Sequence, residues 1–483
     1  MLSELIKNVL KNKIFWYICS RYLALGLQFI ASILVAERLG VYYFGIWSFI
    51  LLLFTIGSTC NWGIGNAATI LLVQNKEDQT KCHDYTLNSL VLTGLISIVP
   101  LAVLLYDRIF GITLFNKYHL DNKIYIVVFL IIISYLSALL MNVLRVKNRI
   151  WEITVAQLLW PVFMCASLFF ASGKSLLIIL LTAYTASFVI GIVIYLFTRQ
   201  ISFSGKYSTP LLREIFIKGF FLFLYNAGFS FIVLSTKTVV SKYYTIEEFG
   251  YFAFAFSLAN GVILLMDSLI FIIFPKMVDM LRGHDKEKIA SALNFMRRNY
   301  LYMLNLLFYV VLAVSAFFFM LIPQYAKSFD SFVLIVFSLM MYSNCFGYNT
   351  YLLAQNKEKQ MAIFIGLALL LNIGGAFLLV HVLHCKFSYV IMATLVTYGF
   401  YSLAVNCYAL RVAGLQKSFK EMLHSMTVKL GPLYLVTLLL VLLQFDKKYL
   451  FLPLMAFLLL NIRELKNIFC NIPQLLKDKK MNV

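Results

Sequence analysis

Charge is scarce in this sequence. Only 13% of its 483 residues are charged and only 21 are acidic, whereas soluble domains carry about a quarter charged residues. Long polar stretches are missing as well. No polar break exceeds about 25 residues, too short for a soluble domain on either side of a membrane. The eight cysteines are scattered without a C-x-x-C pair, which argues against a zinc site or a disulfide framework. The one-turn cluster His381, His384 and Cys385 has no carboxylate beside it and reads as an interfacial turn. No metal or cofactor site is expected. No Walker motif is present, so ATP is not the direct driver of whatever the chain does.

What the sequence does contain is apolar. Hydrophobic residues make up 62% of the chain, and the mean hydropathy is +0.86. They fall in runs long enough to cross a bilayer, which needs about 20 residues. An all-α, polytopic membrane protein is expected, with about fourteen transmembrane helices. Their limits read as 14–36, 42–73, 85–106, 123–144, 152–172, 175–197, 214–240, 248–275, 298–322, 329–354, 361–381, 388–411, 430–445 and 448–462. The last two are short, and twelve spans plus a tail is the other count. Pro100 and Pro161 fall within spans and are expected to kink them. The chain therefore divides into an amphipathic interfacial helix at 1–13 in place of a cleavable leader, an N-lobe at 14–197 and a cytoplasmic linker at 198–213. A C-lobe at 214–411, a final pair at 412–462 and an amphipathic cytoplasmic tail at 463–483 follow.

Lys and Arg outnumber Asp and Glu by 41 to 21, a net +20. With the N-terminus cytoplasmic, 29 of the 41 cations lie in inside segments and 11 outside, leaving Arg21 within the first span. The opposite orientation would violate the positive-inside rule, so both termini are expected on the cytoplasmic side. Most of the +20 is thus an orientation signal and says nothing of nucleic acid.

A shift of 205 residues aligns Phe44-Gly45 with Phe249-Gly250, and Lys13 and Phe15 with Lys218 and Phe220. A shift of 208 aligns Leu144, Asn148 and Arg149 with Leu352, Asn356 and Lys357. Such an ordered series points to two six-helix lobes in parallel repeat, with two C-terminal helices appended. Because each lobe has an even number of spans, the repeat is not inverted.

The opening helix with its buried Arg, the turn LGVYYFG at 39–45, the second copy YYTIEEFGYFAF at 243–254 and the twelve-plus-two layout resemble the polysaccharide flippases. These are the Wzx type, which handle O-antigen repeat units, in the multidrug/oligosaccharidyl-lipid/polysaccharide exporter superfamily. The resemblance covers essentially the whole chain and rests on mostly structural motifs. It implies a two-lobe fold with a V-shaped cavity. It also implies translocation of an undecaprenyl-pyrophosphate-linked oligosaccharide across a bacterial inner membrane, towards the periplasmic leaflet. The partners it implies are that glycan, the bilayer, and a polymerase and chain-length regulator of the same pathway.

Dragging a pyrophosphate through about 30 Å of hydrocarbon calls for buried cations. Arg21 shares one face of the first helix with Tyr17, Gln28 and Ser32, within about 60° at 100° per residue. A guanidinium binds phosphate through two hydrogen bonds without losing its charge. The other reading of Arg21 is a side chain snorkelling to the inner headgroups. Lys237 lies on the repeat-related seventh helix, on a face with Asn226, Ser230 and Ser241. It reads either as the upper half of a phosphate path or as a snorkelling Lys at the outer surface. Asp267 lies at the depth of Arg21, with Asn260 on its face. It reads as a gate partner of Arg21, as a binder of a coupling ion, or as an ion pair holding the lobes together. Thr55, Thr59, Trp62 and Asn66 form a face of helix two able to meet sugars.

A multidrug exporter of the same superfamily is the nearest rival, and it would be expected to carry several acids in its spans. A membrane enzyme such as an O-antigen polymerase would need sizeable outside loops, which are missing. No catalytic residue is therefore assigned. The pairing of Arg21 with Asp267 is directly testable. Exchanging them (Arg21→Asp with Asp267→Arg) should restore transport lost in either single variant, whereas full transport by Asp267→Asn would exclude both functional roles of that acid.

Overall fold

In hydrocarbon every backbone polar group must be satisfied within the chain, and helices do this locally. The computed structural model is helical over 87% of its length, with no strand among the described residues. It describes residues 13–477 apart from 112, 121–122, 200, 202–203, 282–285, 356, 416–430 and 444. The expected helix at 1–12 lies outside them.

The helices run in the order α1 Lys13–Thr59, α2 Ile64–Gln74, α3 Gln79–Ile96, α4 Ile98–Phe110, α5 Thr113–Lys117, α6 Lys123–Val146, α7 Ile150–Ser167 and α8 Gly173–Phe197. They continue with α9 Thr209–Tyr243, α10 Ile246–Leu281, α11 Lys286–Leu321, α12 Phe329–Ser343, α13 Tyr348–Ala354, α14 Glu358–His381 and α15 Met392–Val412. The last are α16 Gly431–Leu442 and α17 Phe451–Lys477. Among the described residues ten segments are long and apolar enough to cross a membrane. One of these, Tyr22–Gln74, is 53 residues long, about 80 Å of helix against a core of about 30 Å. It holds two crossings, because Gly40 (φ 71°, ψ 165°) leaves the helical region inside α1. The 12 residues of α16 reach only about 18 Å, so their described part does not cross by itself. At Pro100 the expected kink takes the form of an interruption at Ser97, between α3 and α4. At Pro161 α7 continues as helix.

The outer surface is that of a protein solvated by lipid. Phe169, Phe170, Leu370 and Leu459 are each at least two-thirds exposed. In water such a surface would drive aggregation; against acyl chains it costs nothing.

The chain forms two compact units, Met1–Ser257 and Leu258–Val483. Within the first, the repeat seen in the sequence becomes a contact. A Cβ on Gly45 would collide with Ile246 O, and a Cβ on Gly250 with Val41 O, each closer than 3.0 Å. Under the 205-residue shift Val41 corresponds to Ile246 and Gly45 to Gly250. The two contacts therefore exchange with one another, as they must about a two-fold axis. Phe44 and Phe254 pack edge to face beside them. The turn into α10 is fixed by a capping box: Thr245 N donates to Glu248 Oε2 (2.9 Å) and Glu248 N to Thr245 Oγ1 (3.2 Å). Lys117 closes the other side of this turn. Its Nζ donates to Ser241 O (2.7 Å) and Lys242 O (3.2 Å), and also to Tyr244 O. A cation there meets the negative end of α9. Burial pulls its ammonium below the usual lysine range, and nearby Glu248 opposes that shift.

The second repeated signal is a helix stop. Arg149 N donates to Leu144 O, and Lys357 N to Leu352 O, both at 3.0 Å. This is the six-to-one bond that ends a helix in a Schellman turn, with Asn148 in the left-handed region (φ 56°). The segment leading into α9 is bound to α3. Asn88, fully buried, donates to Lys206 O and accepts from Ser208 N, while Asp84 accepts from Lys206 N. In the second unit Arg297, only 5% exposed, spans the gap between α12 and α13. Its Nη1 donates to Asn344 O (2.7 Å) and Phe346 O (2.8 Å), and its guanidinium lies 4.2 Å from the Tyr348 ring centroid.

The glycine crossing predicts a sharp contrast. Gly45→Ala and Gly250→Ala each force a methyl into a backbone carbonyl and should each destabilise the protein by about 1–3 kcal/mol or more. Gly94→Ala, where nothing lies within 4 Å, should leave the melting temperature unchanged or raise it. Thermal unfolding of the detergent-solubilised variants measures this.

Candidate functional site

The residues singled out from the sequence divide between those the structure describes and those it does not. The side chains of Tyr17, Arg21, Asn226 and Asp267 lie outside the described residues. Gln28, Asn66, Ser230 and Asn260 are exposed, and Ser32, Thr59 and Lys237 are half-buried. Ser32 and Thr59 turn their hydroxyls back onto their own helices, donating to Phe29 O and Thr55 O at 2.7 Å. The Lys237 ammonium lies over the Phe256 ring, 4.4 Å from its centroid.

Of these residues, Gln28 opens on a cavity of about 440 Å³ among α1, α6, α7 and α8 of the first unit. That volume falls within the roughly 300–1,000 Å³ of small-ligand sites. Gln28, Ser134, Trp160 and Tyr184 line it, and each lies close to the middle of its helical span. The cavity is therefore at mid-bilayer depth, where transporters bind their substrates. Uncharged polar groups carry its chemistry: Ser58, Asn61, Ser137, Gln157 and Ser187 add to Gln28 and Ser134. None of the described lining residues is charged.

The hydroxyls are biased towards accepting. Ser134 Oγ donates to Ile131 O (2.6 Å), Ser187 Oγ to Tyr184 O (2.7 Å) and Ser58 Oγ to Thr55 O (3.2 Å). With the proton spent on the helix, each oxygen keeps lone pairs for a ligand. The amides supply donors. Gln157 Nε2 meets only the Met141 thioether among the contacts that the structure gives it, at 3.4 Å, and sulfur is a weak acceptor.

One wall is aromatic. The Trp160 and Tyr184 ring centroids are 4.3 Å apart at 55°. Phe54 and Phe188 extend the wall, 5.1 and 5.3 Å from Tyr184. Behind it, buried Trp47 packs on both Trp160 (6.1 Å) and Tyr184 (6.3 Å), holding the rings in place.

The floor is a broken helix. The second span, expected as one helix over 42–73, stops at Thr59 and resumes at Ile64. Trp62 (φ 55°) and Gly63 (φ 68°) are left-handed there. Asn61 Oδ1 accepts from Gly63 N (2.9 Å), closing the turn. Gly63 and Gly219 of α9 meet backbone to backbone, since a Cβ on either would strike a carbonyl of the other segment. Trp62 consequently leaves the expected face with Thr55, Thr59 and Asn66. Its ring packs against Phe216, Phe220 and Phe223 of α9, 5.5–6.3 Å away. Asn61 also borders a pocket of about 10 Å³ shared with Thr93 and Tyr135, room for about one water.

Sequence reading missed Asn61, Gln157, Trp160 and Tyr184. It searched for ionisable groups within spans, and neutral polar residues there are indistinguishable from interhelical hydrogen-bond glue until their neighbours are known. Gln157 and Trp160, one turn apart on an apolar helix, are the signal that was present.

The break depends on two glycines. Gly63→Ala meets both a left-handed backbone and the Gly219 carbonyl, and should lower the melting temperature by several degrees or more. Thermal unfolding measures it, with Gly26→Ala, where nothing lies within 4 Å, as the neutral comparison.

Comparison with curated proteins finds no match. Among solved structures, a lipid II flippase MurJ in an inward closed conformation aligns with a TM-score of 0.68 at 16% identity, covering 95% of this chain and all of that one. An inward-facing multidrug resistance MATE family transporter of the MOP superfamily aligns at 0.65 and 12%, covering 82% and 96%. A MOP superfamily transporter from Pyrococcus furiosus, described as having a binding pocket of reversed polarity, aligns at 0.53 and 13%, covering 85% and 98%. At these identities the likeness is one of fold. The family model of the polysaccharide biosynthesis proteins matches residues 10–281, more than half of the sequence. The chain belongs to that family.

Proposed function

We propose that this protein flips an undecaprenyl-pyrophosphate-linked oligosaccharide, an O-antigen or similar repeat unit, from the cytoplasmic to the periplasmic leaflet of a bacterial inner membrane. Both termini are cytoplasmic in this reading, in line with the cation count. The glycan crosses within the protein while the polyprenyl chain stays in the bilayer. Access alternates between the two sides as an N-lobe (14–197) and a C-lobe (214–411) rearrange. Arg21 and Lys237 hold the pyrophosphate in turn, and Asp267 gates the path or couples it to an ion. A polymerase and a chain-length regulator receive the product.

The observation that carries this reading is the neutral cavity. A multidrug exporter handling cationic compounds needs carboxylates where its cargo binds, and no acid is among the described residues lining this cavity. Hydroxyl acceptors, amide donors and an aromatic wall suit a hydroxyl-rich glycan. Membership of the polysaccharide biosynthesis family points the same way.

Reconstitution tests it. Proteoliposomes loaded with undecaprenyl-pyrophosphate-linked oligosaccharide on one leaflet should expose the glycan to an impermeant glycosidase on the other. Arg21→Ala and Lys237→Met should each slow this at least about tenfold, the loss of about 1.4 kcal/mol of phosphate binding. A wild-type protein that ignores the glycolipid and moves a cationic dye instead would replace this reading with the multidrug one.

A further inference from the structure

We infer that the mid-membrane cavity of the first unit is a selectivity subsite for one uncharged sugar residue, stacked on the Trp160–Tyr184 wall and read by the amides of Gln28 and Gln157. The inference rests on the glycan-flipping reading and adds to it the part of the cargo that this chain discriminates.

Three observations converge on it. The first is the wall. Aromatic faces carry partial negative charge, and the C–H face of a pyranose carries partial positive charge, so the two attract at van der Waals distance. Trp160 and Tyr184 pack against one another at 55° with centroids 4.3 Å apart, and both line the cavity, so a sugar would stack on the cavity side of the pair. Trp47 braces both rings from behind, so little ordering is needed when a ligand arrives.

The second is the division of hydrogen-bonding roles. Ser134 and Ser187 have spent their protons on helix carbonyls and can accept from sugar hydroxyls. Gln157 is matched only with a thioether, which leaves its amide to donate to ring or acetamido oxygens. Gln28 is exposed on the same cavity. A lining that both donates and accepts without charge fits a polyhydroxylated neutral group.

The third is the absence of charge among the described residues of that lining. At mid-bilayer depth an unpaired carboxylate, such as that of a uronic acid, costs several kcal/mol. With no Lys, Arg or His among the described lining residues to receive it, an acidic sugar is disfavoured here. A neutral one can satisfy its hydroxyls on the serines and amides of the lining. A water-filled packing defect would lack the braced aromatic wall.

The test uses the full-length protein in lipid nanodiscs with N-acetylglucosamine, galactose and glucuronate as separate probes, read by saturation-transfer NMR. Transfer to at least one neutral sugar and none to glucuronate is expected. Trp160→Ala and Gln157→Leu should each reduce the neutral signal about five- to tenfold. Trp160→Phe, which keeps a ring and guards against a folding defect, should retain part of it. Equal transfer to glucuronate, or an unchanged neutral signal in both Trp160→Ala and Gln157→Leu at wild-type melting temperature, overturns the subsite. The liposome flipping assay separates the two readings. Wild-type flipping without selective sugar binding defeats the subsite alone. Selective binding without glycolipid flipping supports the subsite and defeats the transport reading.

Discussion

The crossing of Gly45 and Gly250 is the constraint on which the first unit is built. Two helix starts approach until each glycine faces the other's backbone carbonyl, a distance no side chain permits. Elements that meet so closely have one register. The capping box of Thr245 and Glu248 and the triple grip of Lys117 on the end of α9 then fix the chain on either side. Because the same residues recur 205 positions apart, one local solution serves twice, and the exchange of contacts follows from it.

The cavity shows how a polar site is maintained in hydrocarbon. Charged groups at mid-bilayer are expensive, and uncharged hydroxyls and amides are far less so. Serines return their protons to the helices that carry them, so their cost without ligand is small. The braced aromatic wall adds apolar surface that needs no water. The helix break after Thr59 places Asn61 on the cavity, and its side chain satisfies the Gly63 N–H that the break frees.

Much of this architecture was legible beforehand. The spans follow from apolar runs, since only helices of that length satisfy their backbone in a membrane. The repeat was legible at Phe44-Gly45 and at Leu144, Asn148 and Arg149, where glycine and asparagine mark backbone conformations that few residues adopt. The break in the second span was not. Asn61, Trp62 and Gly63 sit in a run that reads as one helix over 42–73, and only the approach of Gly219 makes a left-handed turn there worthwhile. Nor was the cavity legible. Its residues come from five separate stretches of chain, each unremarkable alone.

Sequence by itself determined the class of molecule. Hydropathy, cation bias and the twofold recurrence of helix starts and stops are local properties, and they specify a polytopic helical membrane protein. The tertiary structure decided where the chemistry gathers. Interest in the sequence centred on three charges, Arg21, Lys237 and Asp267, because charge is conspicuous in an apolar chain. The fold adds to them a cavity lined by neutral groups, with Gln28 the one residue singled out in the sequence that lines it. Burial, bracing and the direction in which a hydroxyl spends its proton are set by neighbours distant in the chain, and these make ordinary serines, glutamines and rings into a cavity.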